Sequence, residues 1–236
     1  MDWKRTKALT FDCYGTLIDW ESGILAVLRP WASRQGIRLT DEELLAVYAR
    51  AEPEVEKQFP TRRYSELLGD VMRHIGEDLR CAVSDEEAAR LAHSVGDWPA
   101  FPDTPAALRR LQERFRLVIV SNVDRDSFSR TNQHLGVTFD AIITAEEVGA
   151  YKPDHRMFLR AWDVLFGMGI DRAECVHVAQ SLYHDHVPVK ALGGQSVWVD
   201  RRQGRPGGAT AAPGVEVQPD LRVASLSELA DLVECS

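Results

Sequence analysis

The sequence is poor in cysteine. Its four cysteines, Cys13, Cys81, Cys175 and Cys235, are far apart and form no Cys-x-x-Cys pair. A disulfide framework and a structural zinc site are therefore not indicated. Cys13 and Cys175 belong to predicted strands, where we expect them to be small core residues.

An excess of positive charge is also absent. The 28 Lys and Arg residues are outnumbered by 36 Asp and Glu residues, which gives a formal net charge of −8. Nucleic-acid surfaces need clustered Lys and Arg side chains, so we expect no nucleic-acid partner. A small molecule is the partner that this composition favours.

Long hydrophobic runs are missing too. No apolar run approaches the length that spans a bilayer. The first five residues lead straight into a strand pattern and do not resemble a signal peptide. We therefore expect no membrane association and a cytoplasmic location.

What the sequence does have is a buried-strand pattern near its start. The apolar run Ala8–Phe11 places Asp12 at the carboxyl end of a strand, where open α/β sheets carry their chemistry. Gly15 and Thr16 follow in a turn whose backbone can close around a ligand. Asp12 is therefore a candidate nucleophile.

Residues 18–97 show helical patterns and no convincing strand. Two capping-box spacings mark helix starts, Thr40 with Glu43 and Ser84 with Glu87. Pro53 and Pro60 are expected to break the segment, leaving residues 59–63 as a loop. This composition predicts a helical insertion after the first strand.

From residue 98 onward, strand and helix patterns alternate. Further strands are predicted at residues 117–120, 141–144, 176–179 and 196–199, followed by a Gly/Pro-rich surface loop at 201–214. Alternation of this kind predicts right-handed βαβ units. The fold class is therefore α/β, with a mostly parallel sheet built from residues 1–17 and 98–236.

Four successive strand ends carry polar side chains. They are Asp12, Ser121 with Asn122, Lys152, and Asp185. In a doubly wound sheet these ends meet in one crevice. Together they supply a carboxylate nucleophile, hydroxyl and amide donors, a cation and a second carboxylate. These groups form a coherent set for displacement chemistry.

In order and spacing, these four motifs resemble those of the haloacid dehalogenase superfamily, over nearly the whole chain. The resemblance implies a Rossmann-like core, a helical cap domain at residues 18–97 and covalent catalysis through Asp12. Most members are magnesium-dependent phosphatases, which have a second Asp two residues after the nucleophile and a metal-binding Asp in the fourth motif. Here these positions are Tyr14 and Gln180.

Both replacements favour a halide as the leaving group. A halide needs no general acid, and the loss of one carboxylate weakens a magnesium site. The Asp-x-Tyr-Gly-Thr-Leu and Tyr-Lys-Pro-Asp motifs at 12–17 and 151–154 resemble those of type II 2-haloacid dehalogenases. The resemblance implies metal-independent, cofactor-free hydrolysis of short 2-haloalkanoic acids through an ester on Asp12, and a homodimer.

The resemblance also implies roles for the neighbouring residues. Lys152 would keep Asp12 ionised, Asp185 would activate the water, and Thr16 would hold the nucleophile. The substrate carboxylate or the halide would be held by Ser121, Asn122 and the backbone N–H groups of Cys13 and Tyr14. A cap arginine is expected at the substrate: Arg50 matches loosely, with Arg62 and Arg63 as alternatives.

Three departures and two alternative functions remain open. Gln180, Leu182 and Phe158 stand where such dehalogenases tend to have Ser, Asn and Tyr, which leaves the position of the water less defined.

A magnesium-dependent phosphohydrolase could use Asp185 and water where Gln180 stands. A non-catalytic binding protein would bind its ligand equally well after Asp12→Asn. His184-Asp185-His186 lacks a third ligand at useful spacing, so no metal is expected there.

Overall fold

The computed structural model describes residues 1–59, 62–205, 207–210, 214 and 216–236. Its centre is one sheet whose strands are β1 (Ala8–Phe11), β2 (Arg116–Ser121), β3 (Ala141–Thr144), β4 (Cys175–Ala179), β5 (Gln195–Val199) and β6 (Leu221–Val223). The strand order is β3-β2-β1-β4-β5-β6, and every pairing is parallel. The predicted α/β fold is confirmed.

Helices surround this sheet. Those of the described residues are α1 (Trp20–Arg34), α2 (Asp41–Gln58), α3 (Tyr64–Asp78), α4 (Asp85–Ser94), α5 (Thr104–Gln112), α6 (Arg125–Leu135), α7 (Ala145–Val148), α8 (His155–Gly167), α9 (Val187–Ala191) and α10 (Leu226–Glu234). A π-helical turn at Leu182–His186 precedes α9. No helix in the part of the chain that the structure describes is long and apolar enough to cross a membrane.

Both faces of the sheet are covered. Leu9 and Phe11 of β1 belong to the larger apolar cluster, whereas Ala8 packs with Met157 and Phe158 of α8 on the other side. This follows from the two-residue period of a strand, whose successive side chains point to opposite faces. The carboxyl ends of the central strands therefore lie together on one side of the sheet, at the ends of the strands.

Helices α1 to α4 occupy the predicted insertion between β1 and α5. Both capping boxes are present, at Thr40 with Glu43 and at Ser84 with Glu87. The prediction that Pro53 breaks this region is wrong, because Pro53 lies inside α2. The buried face of α2 continues through Val55, and its packing outweighs the local cost of one lost hydrogen bond. Pro60 lies outside the described residues.

Two details differ from the sequence prediction near the chain ends. Cys13 is buried as expected but follows β1 instead of lying in a strand. Strand β6 and helix α10 were not predicted. The loop after β5, of which residues 206, 211–213 and 215 are not described, contacts the helical insertion: Arg202 forms ion pairs with Glu21 and Glu42.

Candidate active site

Asp12 lies just beyond β1 and is 6% exposed. Its backbone N–H donates to the carbonyl oxygen of Val178 on β4 at 3.1 Å. Its Oδ1 accepts a hydrogen bond from Nζ of Lys152 at 2.7 Å, and its Oδ2 accepts one from Oγ1 of Thr16 at 2.5 Å. Both carboxylate oxygens are therefore fixed in orientation.

Thr16 is itself held from two sides. The backbone N–H of Gln180 donates to Oγ1 of Thr16 at 2.9 Å, which leaves the hydroxyl proton for Asp12. Arg201 donates from Nε and Nη2 to the carbonyl oxygen of Thr16 at 3.0 and 2.8 Å, and pairs with Asp103 at 2.7 Å. Arg201 was not predicted to contribute to the site, because it lies in a loop far from Thr16 in the sequence.

Lys152 is 2% exposed and uses all three of its protons. It donates to Oδ1 of Asp12 and to Oδ1 of Asp185, each at 2.7 Å, and to the carbonyl oxygen of Val120 at 3.1 Å. One ammonium group thus joins the predicted nucleophile to the second carboxylate. The structure brings these three predicted residues together.

Asn122 holds the backbone of Lys152. Its Nδ2 donates to the Lys152 carbonyl oxygen at 3.1 Å, and its Oδ1 accepts from the Lys152 N–H at 2.6 Å. The Asn122 amide, which was predicted to contact the substrate, therefore binds the backbone of Lys152 instead. Ser121, by contrast, is fully buried, and its Oγ has no hydrogen-bond partner among the described residues.

Asp185 lies on the π-helical turn and is fully buried. Its Oδ1 is shared by Lys152 and by Nε2 of His177, the latter at 2.9 Å. Nδ1 of His177 lies 2.8 Å from Oγ1 of Thr10. Oδ2 of Asp185 has no partner within the described ranges. His177 was missed from the sequence, although a polar residue inside a buried strand was an available signal.

The charges of these groups influence each other through a desolvated interior. Burial raises the pKa of Asp12, with the Asp185 carboxylate adding to the effect and the Lys152 ammonium opposing it. Burial also opposes ionisation of Asp185, yet Lys152 and His177 hold its pKa well below the usual range. Burial opposes the charge on Lys152, but the two carboxylates raise its pKa above the ordinary value. Lys152 and Asp185 therefore stay charged at neutral pH.

The two histidines that flank Asp185 contact other groups of the protein. Both ring nitrogens of His186 are engaged at 3.0 Å, with Oγ of Ser196 and the carbonyl oxygen of Ala179. Burial lowers the pKa of His184 to about 4, so its ring is neutral at pH 7. Across the described part of the chain, no group of three or more His, Cys, Asp or Glu side chains is arranged to hold a metal ion.

A cavity opens onto these strand-end residues. Tyr14 forms part of its wall: its hydroxyl lies 2.8 Å from Oγ1 of Thr131, and its ring meets Trp98 edge-on with centroids 5.6 Å apart. The backbone N–H groups of Cys13 and Tyr14 make no hydrogen bond to any described residue.

The helical insertion forms another part of the cavity wall. It contributes Trp20, Glu52, Glu56 and Tyr64. Glu52 is buried, and its Oε1 accepts hydrogen bonds from the hydroxyls of Tyr48 at 2.8 Å and Tyr64 at 2.5 Å. Burial raises the pKa of Glu52 to about 7, although both hydroxyls act to lower it. Neither Glu52 nor Glu56 was predicted from the sequence to line the site.

The predicted substrate-binding arginines do not reach the cavity. Arg50 faces solvent and donates to the carbonyl oxygen of Ala46 on its own helix at 3.2 Å. It lies two residues from Glu52, so the two side chains point to different sides of α2. Arg62 pairs with Asp70, and Arg63 pairs with an acidic residue on α7. The described lining contains no arginine.

Comparisons with known proteins agree with this geometry. The family model described as haloacid dehalogenase-like hydrolase matches residues 6–182. The (S)-2-haloacid dehalogenase H-109 of Pseudomonas putida is 27% identical over 210 residues, covering 83% of this chain and 86% of that protein. The (S)-2-haloacid dehalogenase of Pseudomonas sp. (strain YL) is 27% identical over 234 residues, covering 97% and 94%.

A solved structure shares the fold over the same length. The L-2-haloacid dehalogenase from Xanthobacter autotrophicus superposes with a TM-score of 0.79 at 22% identity, covering 97% of this chain and 98% of that one. At this identity the likeness shows the fold alone.

Proposed function

The chain belongs to the haloacid dehalogenase-like hydrolases, and from this premise we propose that it converts short 2-haloalkanoic acids to 2-hydroxy acids without a metal ion. The observation that carries the proposal is Asp12, whose oxygens are fixed by Lys152 and Thr16 while Tyr14 stands where a proton donor would be needed for a poor leaving group. The names of the relatives support the substrate class.

The first step is attack by a carboxylate oxygen of Asp12 on the halogen-bearing carbon. A carbon–oxygen bond forms, the carbon–halogen bond breaks, and the halide leaves with the bonding electron pair. In-line attack inverts the configuration at that carbon. The fixed contacts of Asp12 with Lys152 and Thr16 orient the carboxylate before substrate arrives.

The substrate carboxylate needs donors that the protein does not already use. The hydroxyl of Ser121 and the backbone N–H groups of Cys13 and Tyr14 have no hydrogen-bond partners among the residues described. These three donors would hold the substrate carboxylate beside Asp12. Asn122 contributes indirectly, by fixing the backbone of Lys152.

The second step is hydrolysis of the ester on Asp12. Oδ2 of Asp185 is buried and unpartnered, so it can accept a hydrogen bond from the attacking water. The water oxygen bonds to Cγ of Asp12, and the bond from Cγ to the ester oxygen breaks. One water proton goes to the departing hydroxy acid and the other to solvent, which restores the Asp12 carboxylate.

Metal independence is supported by how the carboxylates are used. The ammonium of Lys152 lies between Asp12 and Asp185, and His177 takes a second contact on Asp185. The side-chain oxygen of Gln180 accepts from Thr210 at 3.0 Å. Magnesium prefers anionic oxygens in octahedral geometry, and at the strand ends Lys152 and Thr16 already engage both oxygens of Asp12.

We extend the proposal to the helical segment and to the setting of the protein. Residues 18–97 would act as a cap, since Trp20, Glu52 and Tyr64 line the cavity from that side. A cytoplasmic location and a homodimer remain predictions from the sequence pattern and the family resemblance.

One turnover in ¹⁸O-labelled water with excess enzyme tests the ester route. The substrate is 2-chloropropionate, and mass spectrometry follows the peptide that contains Asp12. We expect the label to enter Asp12 and halide release to persist in EDTA. Label found only in the product would rule out the ester route. Magnesium-dependent hydrolysis of p-nitrophenyl phosphate, without halide release from any 2-haloacid, would favour the phosphohydrolase alternative.

A further inference from the structure

Two carboxyl groups of α2 face the reacting residues across the cavity. Glu52 and Glu56 are four residues apart, so they lie on the same face of the helix. Both line the cavity that Asp12 and Lys152 also line. Neither belongs to the four motifs at the strand ends.

These two carboxyl groups have acceptor capacity left over. The two tyrosine hydroxyls bind Oε1 of Glu52, and no described residue donates to its Oε2. Glu56 is half-buried and has neither a hydrogen bond nor an ion pair with any described residue. Burial and the neighbouring Glu52 raise the pKa of Glu56 well above its ordinary value. A partly desolvated carboxyl without a partner is costly.

Acidic groups outnumber basic groups in the lining of the cavity. Four carboxyl groups line it, from Asp12, Glu52, Glu56 and Asp185, against the single ammonium of Lys152. The protons of Lys152 are already used by Asp12, Asp185 and Val120. No described cation is therefore free to neutralise the wall formed by α2.

Two polar atoms outside α2 also lack hydrogen-bond partners in this cavity. Oγ of Ser121 and Oδ2 of Asp185 are fully buried and unpaired among the residues described. Such atoms are expected where a polar ligand or ordered water completes a site. The cavity thus has an anion-accepting side beside Asp12 and a cation-accepting side on α2.

We propose that the substrate carries a primary ammonium group on the carbon next to the halogen-bearing carbon, held by Glu52 and Glu56. The inference rests on the proposed dehalogenation for the reaction at Asp12. An ammonium offers three donors, which suits Oε2 of Glu52 and the two oxygens of Glu56. A cation there also favours the ionised form of both carboxyl groups. Glu52 and Glu56 are thereby residues that determine specificity.

The test uses two substrates of matched size. In 3-amino-2-chloropropionate an ammonium stands where 2-chlorobutyrate has a methyl group. We expect kcat/KM for halide release to be at least about 10-fold higher for the amino compound, in line with a charge-assisted hydrogen bond. Glu56→Gln should lower that ratio about 10-fold, mainly through KM. Glu54→Gln, an exposed change on the same helix, should leave it unchanged.

Two kinetic outcomes would overturn the proposal. One is a wild-type enzyme that processes 2-chlorobutyrate as well as the amino compound. The other is a ratio that Glu56→Gln does not change, as expected if protonated Glu52 and Glu56 merely donate to a simple substrate carboxylate.

Binding of halogen-free analogues separates this inference from the proposed reaction. Isothermal titration calorimetry compares 3-aminopropionate with butyrate. Tighter binding of the amino compound, lost in Glu56→Gln and kept in Glu54→Gln, would support the ammonium site even if no substrate released halide. Equal binding of the two analogues would reject the ammonium site, whether or not halide is released.

Discussion

Nζ of Lys152 lies 2.7 Å from Oδ1 of Asp12, a contact that joins residues 140 positions apart in the chain. The same ammonium lies 2.7 Å from Oδ1 of Asp185. Two buried carboxylates repel each other unless a cation lies between them. Lys152 therefore makes it possible for both acids to be ionised at once, which the proposed reaction requires.

Removing this cation should abolish most of the activity. We expect Lys152→Ala to slow halide release from 2-chloropropionate by about 10³-fold, since the carboxylate of Asp12 would then lose its charge-assisted contact. Ethylammonium should restore part of the rate by filling the space left by the side chain, whereas tetramethylammonium, which has no N–H donor, should not. Single-turnover halide release measures both effects, and equal rescue by the two cations would contradict the role of Lys152.

The pH dependence of the first step should report the ionisation of Asp12. Its pKa is raised by burial, so kcat/KM should rise with pH and reach half its maximum above pH 3.8, the ordinary value for the group. The Thr16 hydroxyl stabilises the ionised form. Thr16→Val should therefore move this midpoint to higher pH, and Thr16→Ser should restore it. A midpoint that is the same in all three proteins would show that Thr16 does not act on Asp12.

Much of the fold could be predicted because buried parallel strands appear as continuous apolar runs. Strands β1 and β3 have the predicted bounds, and β2, β4 and β5 are longer by only one or two residues. Strand β6 was missed because it has only three residues and lies at the sheet edge. Helix α10 was missed although Leu226, Leu229 and Val233 have helical spacing.

The candidate site was predictable only where sheet topology determines it. Strand ends must meet, so the positions of Asp12 and Lys152 followed from the pattern of elements. Which side of α2 is turned toward the cavity depends on how the helix packs. Periodicity alone could not show that Glu52 points into the cavity while Arg50 points to solvent. The pairing of His177 with Asp185 depends on the π-helical turn, which has no sequence signal of its own.

That pairing gives His177 a testable role as a positioning residue. It holds Oδ1 of Asp185 and leaves Oδ2 for the water. We expect His177→Phe to slow ester hydrolysis by about 10-fold to 100-fold while attack by Asp12 changes little, because the water loses its orientation. The ester on Asp12 should then accumulate, which mass spectrometry of the intact protein detects. His155→Asn, an exposed change on α8, is the matched control. Equal slowing of both steps would instead indicate a purely structural role.

Glu52 should make the stability of the protein depend on pH. Its pKa is raised from 4.5 to about 7 in the folded state, so between these values the folded protein binds more protons than the unfolded chain. Stability must then fall as pH rises through this window. Glu52→Gln keeps an oxygen that can accept from Tyr48 and Tyr64 but removes the titration.

The variant should therefore match wild type near pH 4 and exceed it at pH 8 by up to about 3 kcal/mol. Urea unfolding at both pH values measures this difference in the free energy of unfolding. Glu66→Gln, which alters an exposed carboxylate on α3, should show no such pH dependence. If Glu52→Gln were less stable than wild type at both pH values, Glu52 would act as a charged structural partner of the two tyrosines. It would then already be ionised when the cavity is empty, and the ammonium site would need no proton release to form.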